Sequence, residues 1–349
     1  MPFRSADPGG GRGMADWTAA MRAGDFEQAW AISDAALARF CRCSGPKHGG
    51  PRHQQRIWRG EELDGRAVLV RCYHGLGDTI QFIRFVRPLR AIARQVIVWC
   101  QPELVPLVSG AAGVDLAIPL HDGVADVPFD VDIEIMEIPH AIRATREQVA
   151  MPQPYLQPPA TAAPPELRET ESLRVGVVWQ GGDWDLRRSF AVSELRQLNS
   201  PGVQLYALQR GEAAKEGASI GAIDISTPDV STLASRLWAL DLVICPDTMV
   251  AHLAAALGCR TWIVLHRDCD WRWPDRGSST FWYPTARLFH QGPDLAWSGV
   301  FVEVRRALAS HLKRWQSLTA GQELPPPSSA VKRAGEMPAV GGASANNPG

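Results

Sequence analysis

No stretch of this 349-residue chain stays apolar for the roughly 20 residues that a membrane-spanning helix needs. Its first residues, Met1 to Met14, are glycine-rich and polar and lack the apolar core of a secretory signal. An excess of one charge is also missing. The formal net charge is -1, so bulk electrostatics offers no reason to expect nucleic acid as a partner. Cysteines number seven, an odd count, and Cys72, Cys100 and Cys245 close apolar runs where a free thiol behaves as a small hydrophobe. That pattern argues against a disulfide scaffold and for a reducing compartment, so a cytoplasmic protein is expected, with peripheral membrane contact left open. No Gly-x-Gly-x-x-Gly follows any strand-like run, which counts against a dinucleotide enzyme such as a dehydrogenase or epimerase. Cys41-x-Cys43 with His48 and His53 matches no common zinc spacing and has no second cysteine pair, so no metal is expected.

What is present is enough apolar material, 45% of the residues, to bury the cores of two ordinary domains. Residues 1–14 and 316–349 are expected to be disordered, the latter rich in Pro, Gly, Ser and Ala. Residues 15–60 form a helical segment and connector, with Trp17, Met21, Phe26, Trp30 and Phe40 at helical spacing around a break at Gly24-Asp25. The phrase from Ala23 to Ala29 resembles the turn of a tetratricopeptide repeat. Only one copy is visible, which leaves two readings: a hairpin packed on the next domain, or part of a partner-binding array.

Residues 61–150 alternate strand and helix: strands at Ala67 to Tyr73, Val96 to Cys100, Leu116 to Leu120 and Val131 to Met136, with a helix from Ile80 to Arg94. Residues 151–172 are rich in Pro and Ala and read as a stiff linker. In residues 173–315 the strand signal starts again: Leu173 to Trp179, Gln204 to Leu208, Ala222 to Ile225, Leu242 to Cys245 and Thr261 to Leu265, closed by an amphipathic helix from Trp297 to Trp315. Strand and helix in alternation imply parallel sheets covered on both faces, an α/β fold.

Two turns carry the chemistry. After the first strand comes His74-Gly75-Leu76-Gly77-Asp78, where the glycines let the chain turn sharply and bring Asp78 to a strand end, as base or as helix cap. The second turn is Asp247-Thr248-Met249-Val-Ala-His252. It leads from a buried strand into an apolar helix, with Asp247 expected as the N-cap. The first amides of that helix and the positive end of its dipole make an anion site. Thr248 can reach phosphate with its hydroxyl and its amide, and His252 shares its face of the helix. The other reading of His252 is a satisfied core histidine. Trp271 and Trp273 are open to two readings, stacking on a base or packing between domains.

Together these motifs resemble the heptosyltransferase-like glycosyltransferases, glycosyltransferase family 9, in the version attached to tetratricopeptide segments. The resemblance spans roughly residues 60–315. It implies a GT-B architecture, two Rossmann-like domains facing across a cleft, with no cofactor beyond a nucleotide-diphosphate sugar as co-substrate and no essential metal. It also implies site roles. Asp78, in the turn with Gly75 and Gly77, corresponds to the general base, and His252, a second catalytic candidate, matches a position of the diphosphate helix. Trp179 and Gly181 end the strand beside the donor, Arg187 or Arg188 meets its phosphate, Gln209 and Glu212 lie in the ribose-binding segment, and Asp247, Thr248 and Met249 form the diphosphate helix. Arg stands where the family usually has Lys, and Met249 where it usually has Gly. The acceptor is a glycan, a lipid-linked glycan or a protein. A competing reading is a scaffold or nucleotide-sugar-binding protein without turnover, with protein contacts through the N-terminal helices.

Overall fold

The computed structural model describes residues 10–44, 58–150, 154–158, 167, 171–183 and 185–319. Helices α1 (Gly10–Ala23) and α2 (Phe26–Ser44) form a hairpin. Gly24 turns between them at φ +72°, and Asp25 accepts the Gln28 amide at 3.0 Å to cap α2. The first unit holds strands β1 (Ala67–Arg71), β2 (Gln95–Cys100), β3 (Leu116–Pro119) and β4 (Val131–Glu134). They pair in parallel in the order β3-β2-β1-β4. Its helices are α3 (Leu76–Phe82), α4 (Val86–Arg90), α5 (Val105–Val108), α6 (Ile138–Ala141) and α7 (Arg146–Val149).

The second unit holds β5 (Leu173–Val177), β6 (Val203–Ala207), β7 (Ile223–Asp224), β8 (Leu242–Pro246), β9 (Thr261–Leu265) and β10 (Ala286–His290). These six strands are parallel in the order β10-β9-β8-β5-β6-β7. Helices α8 (Val230–Trp238), α9 (Met249–Ala256) and α10 (Trp297–Thr319) complete it. In both sheets the order runs outward in two directions from the first strand, so a switch point lies between β1 and β4 and another between β5 and β8. A crevice at the carboxyl ends of the strands opens at such a point, because the crossovers on its two sides lie on opposite faces. Strands β1, β8 and β9 are buried along their whole length, which is why they read as unbroken apolar runs.

Several expectations need correction. The helix expected from Ile80 to Arg94 starts earlier, at Leu76, and is interrupted by a 3-10 turn at Ile83–Phe85 before ending at Arg90. Pro88 explains the interruption: it has no N–H to give the carbonyl four residues back, and its ring crowds that carbonyl, at Arg84. Strand β10 was hidden in a stretch where only Leu288 and Phe289 are consecutive apolar residues. The described parts of the two segments expected to be disordered, residues 10–14 and 316–319, are helical. The described part of the linker is laced to both units. The Tyr155 and Leu156 amides donate to the Ala256 carbonyl at 3.1 and 3.3 Å, and the Tyr155 hydroxyl donates to the Ile80 carbonyl at 3.1 Å. The side chains of Cys41, Cys43, His48 and His53 lie outside the described residues.

The hairpin is packed across both units. Trp30 Nε1 donates to the Ala144 carbonyl at 3.0 Å, and Asp34 pairs with His140 and Arg143. At its other end Trp17 meets Trp271 edge-on at 5.0 Å, and Arg22 Nη2 donates to the Cys269 carbonyl at 2.6 Å. Phe26, buried, lies between Trp30, Phe281 and Trp282. Removing it as Phe26→Ala leaves a cavity at the centre of this contact, and a loss of about 3–5 kcal/mol is expected. A thermal melt checks it; a variant melting with the wild type would show the hairpin to be only loosely applied.

Inside the junction, Arg84 is buried and tied to carbonyls of both units: Val149 at 3.0 Å and Trp282 at 2.7 Å. Its guanidinium also lies over the Tyr155 and Tyr283 rings at 4.5 and 4.7 Å. Apolar residues of α3 and α9 belong to one continuous core. Among the described residues, no helix is long and apolar enough to cross a membrane.

Candidate functional site

At the switch point of the second sheet, the chain leaves β5 through Trp179-Gln180-Gly181 and leaves β8 through Asp247-Thr248. Gln209 braces the first of these turns, its Oε1 accepting the amides of Trp179 and Gln180 at 3.1 and 2.9 Å. The missing side chain at Gly181 leaves room for two neighbours. A Cβ there would stand 3.4 Å from Arg188 Nη2 and 3.5 Å from Thr248 Cγ2. Arg188 is buried and is aimed by backbone carbonyls: Nη1 donates to Asp247 at 2.6 Å, Nε to Asp185 at 3.2 Å and Nη2 to Gly182 at 3.3 Å. These carbonyls fix the guanidinium beside the first turn of α9, whose dipole end is also positive.

Thr248, rather than Asp247, is the N-cap of α9. Its side chain makes no capping bond, and its Oγ1 is buried with no hydrogen-bond partner. An orphaned hydroxyl of this kind is uncommon, because a buried polar atom left unpaired is costly. Asp247 is not a cap because its carboxylate turns to His252, with Oδ1 3.5 Å from Nε2. Burial acts to raise the Asp247 carboxyl, but His252 beside it holds it below the usual carboxylate range. The other ring nitrogen of His252 lies 2.8 Å from the Tyr283 hydroxyl, and the ring stacks on Trp273 at 5.7 Å. Both nitrogens of this buried imidazole are therefore engaged within the protein.

The first sheet's switch point faces this one. Helix α3 starts at Leu76 with Gly75 as its cap, so Asp78 sits in the first turn, not ahead of the helix. One oxygen of its carboxylate accepts the Gly75 amide at 3.0 Å, and the other pairs with Arg272 Nη2. Gly77 lets the two helix starts touch: a Cβ there would stand 3.0 Å from His252 Cδ2 and 3.5 Å from the Cα of Met249. Arg272, buried, also donates from Nε to Gln81 at 2.6 Å and from Nη1 to Asp270 at 2.8 Å. Burial works against its charge, while Asp270 and Asp78 hold it charged.

The fold thus gathers Gly181, Arg188, Asp247, Thr248 and Met249 on one side and Gly75, Gly77 and Asp78 on the other. His252 lies against Gly77 and Asp247, between the two sides, whereas the side chains of the remaining candidates are engaged otherwise. The Trp179 side chain lies in the core of the second unit, and Gln209 is engaged as a brace. Arg187 is exposed and pairs bidentately with Asp185, and Glu212 is exposed and pairs with Lys215 at 2.6 Å. Trp271 and Trp273 pack, on Trp17 and His252 respectively. Arg272 carried little signal in the sequence beyond lying between these two tryptophans. Glu134 was missed: it is one of two acids alternating with apolar residues along β4, a pattern that singles out neither. Burial pushes its carboxyl up to about 8. Among the described residues, no group of three or more His, Cys, Asp or Glu side chains could hold a metal ion.

No family model and no curated protein matches the sequence. Solved structures do match the fold. A family 9 glycosyltransferase from Veillonella parvula DSM 2008 aligns with a TM-score of 0.53 at 12% identity, over 73% of this chain and 99% of that one. The iron-containing dodecameric glycosyltransferase TibC from enterotoxigenic E. coli H10407 aligns with a TM-score of 0.50 at 12% identity, over 74% of this chain and 78% of that one. E. coli ADP-heptose heptosyltransferase II aligns with a TM-score of 0.49 at 15% identity, over 70% of this chain and 99% of that one. The chain therefore has the GT-B-like, two-sheet α/β fold of the first two of these; the helical hairpin α1–α2 precedes it.

Proposed function

We propose that the protein transfers a sugar from a nucleotide-diphosphate sugar to an acceptor hydroxyl. The observation that carries this reading is the orphaned Thr248 hydroxyl at the start of α9, beside the buried Arg188, at a switch point. A diphosphate supplies what Thr248 lacks, oxygens to accept from its Oγ1 and from the first amides of α9, and the Arg188 guanidinium beside them can donate to the same group. As the bond from the anomeric carbon to the diphosphate breaks, negative charge grows on the leaving oxygen, where these groups are already fixed. The acceptor oxygen forms the new bond to the anomeric carbon, and its proton passes to the Asp78 carboxylate. In this reading Arg188 and the α9 amides carry the role that a metal ion has in other transferases. His252 acts as a positioning residue, holding Asp247 and the start of α9. Arg187, Glu212 and the Trp179 side chain are left outside the site. We place the reaction in the cytoplasm. The acceptor is a glycan, a lipid-linked glycan or a protein.

A panel of ADP, UDP and GDP sugars against NAD, read by thermal shift, tests the donor site. At a hundred times its dissociation constant, the matching nucleotide sugar is expected to add about 2.7 kcal/mol, and NAD nothing. Arg188→Ala is expected to remove the shift. No response to any nucleotide sugar would refute the reading. One observation favours a second reading, a binding protein without turnover: the carboxylate of Asp78 is already paired with Arg272. Tight nucleotide binding with no sugar transfer would support it.

A further inference from the structure

The donor reading accounts for one side of the first sheet's switch point, the turn that follows β1. On the other side, the chain leaves β4 at Glu134. Its Oε2 accepts the Met136 amide at 2.8 Å, while Oε1 is buried with no hydrogen-bond partner. His74 Nε2 stands 3.7 Å from that oxygen, beyond direct hydrogen-bond reach. The His74 side chain is 43% exposed and that of Glu134 12%, so the imidazole is what stands between solvent and the unpaired oxygen. Burial raises the Glu134 carboxyl and lowers the His74 imidazole. Near neutral pH both groups are uncharged, and each can donate and accept. The base of the proposed reaction is close to His74 in the fold, since Asp78 accepts at 3.0 Å from the amide of Gly75, the residue that follows His74.

We propose that Glu134 and His74 form an acceptor subsite for a carbohydrate, which presents one hydroxyl to Asp78 and a neighbouring hydroxyl between His74 Nε2 and Glu134 Oε1. The assignment rests on the donor reading, since the role of Asp78 comes from it. A neighbouring pair of hydroxyls satisfies both places at once. The lone hydroxyl of a serine or threonine side chain satisfies Asp78 and leaves Glu134 unpaired, which is costly for a buried polar group. An anionic acceptor group meets the charges of Asp78 and Glu137 together.

The test is saturation-transfer NMR on the full chain with its nucleotide diphosphate bound, using free glucose, galactose, mannose, rhamnose and N-acetylglucosamine as probes. At least one sugar is expected to bind. Its affinity is expected to fall about tenfold in Glu134→Ala and in His74→Ala, the worth of one hydrogen bond to a buried site. Glu134→Gln, which keeps the shape and an uncharged donor and acceptor, is expected to restore most of it. The thermal shift by nucleotide should stay at its wild-type value in all three variants. His74→Ala changes an exposed side chain and so keeps the test available if Glu134→Ala does not fold. Equal sugar binding in the wild type and both alanine variants overturns the assignment, as does the absence of sugar binding while nucleotide still binds. Loss of the nucleotide shift in the wild type overturns the donor reading instead.

Discussion

Asp78→Asn is expected to lower sugar transfer by about 10²–10⁴-fold, the range lost when a positioned general base is removed. The expectation follows from geometry. Asp78 is held on one oxygen by the Gly75 amide and on the other by Arg272, and its side chain keeps 26% exposure toward solvent. An asparagine fits the same space and still accepts from Gly75, but it cannot take a proton from an acceptor. The loss should therefore appear in kcat, with the KM for the nucleotide sugar nearly unchanged. The nucleotide thermal shift should also survive, because Arg188 and Thr248 are untouched. Retained turnover in this variant would remove Asp78 from the chemistry.

The second large effect is expected at Arg272→Met. The buried guanidinium joins Asp78 and Gln81 of the first unit to Asp270 of the second. Methionine fills much of the volume, but two carboxylates and an amide lose their partner. Breaking a buried ion pair from one side costs about 3–5 kcal/mol. Here the carboxylates keep 26% and 19% exposure, so water recovers part of the loss and about 2–3 kcal/mol is the better figure. At roughly 2–4 °C per kcal/mol, melting should fall by about 4–12 °C. Arg272→Lys is expected to fall between, since one ammonium cannot reproduce a three-way fork. A melt within about 1 °C of the wild type would mean that the pairing contributes nothing net, as many exposed pairs do.

The sequence by itself determined the local chemistry. The apolar runs of β1, β5, β8 and β9 specify strands buried on both faces. Gly75 and Gly77 mark where β1 gives way to α3, and the apolar run after Thr248 marks the start of α9. Each of these follows from spacing within a few residues, because strand and helix periodicity act over that range.

Tertiary structure decided everything that depended on which side chain turned inward. Arg187 and Arg188 are neighbours of the same type, yet only Arg188 is buried, because the carbonyls of Gly182, Asp185 and Asp247 surround it. Asp247 cedes the cap to Thr248 because His252 draws its carboxylate away. Trp179 reads as a site residue at a strand end, but the pleat sends its ring into the core. Arg272 meets Asp78 across 194 positions of chain, and Glu134 gains its unusual environment only when β4 is laid beside β1. Periodicity within one segment carries no information about such partners; burial supplies it, because a polar group removed from water must be paired within the fold or by a ligand.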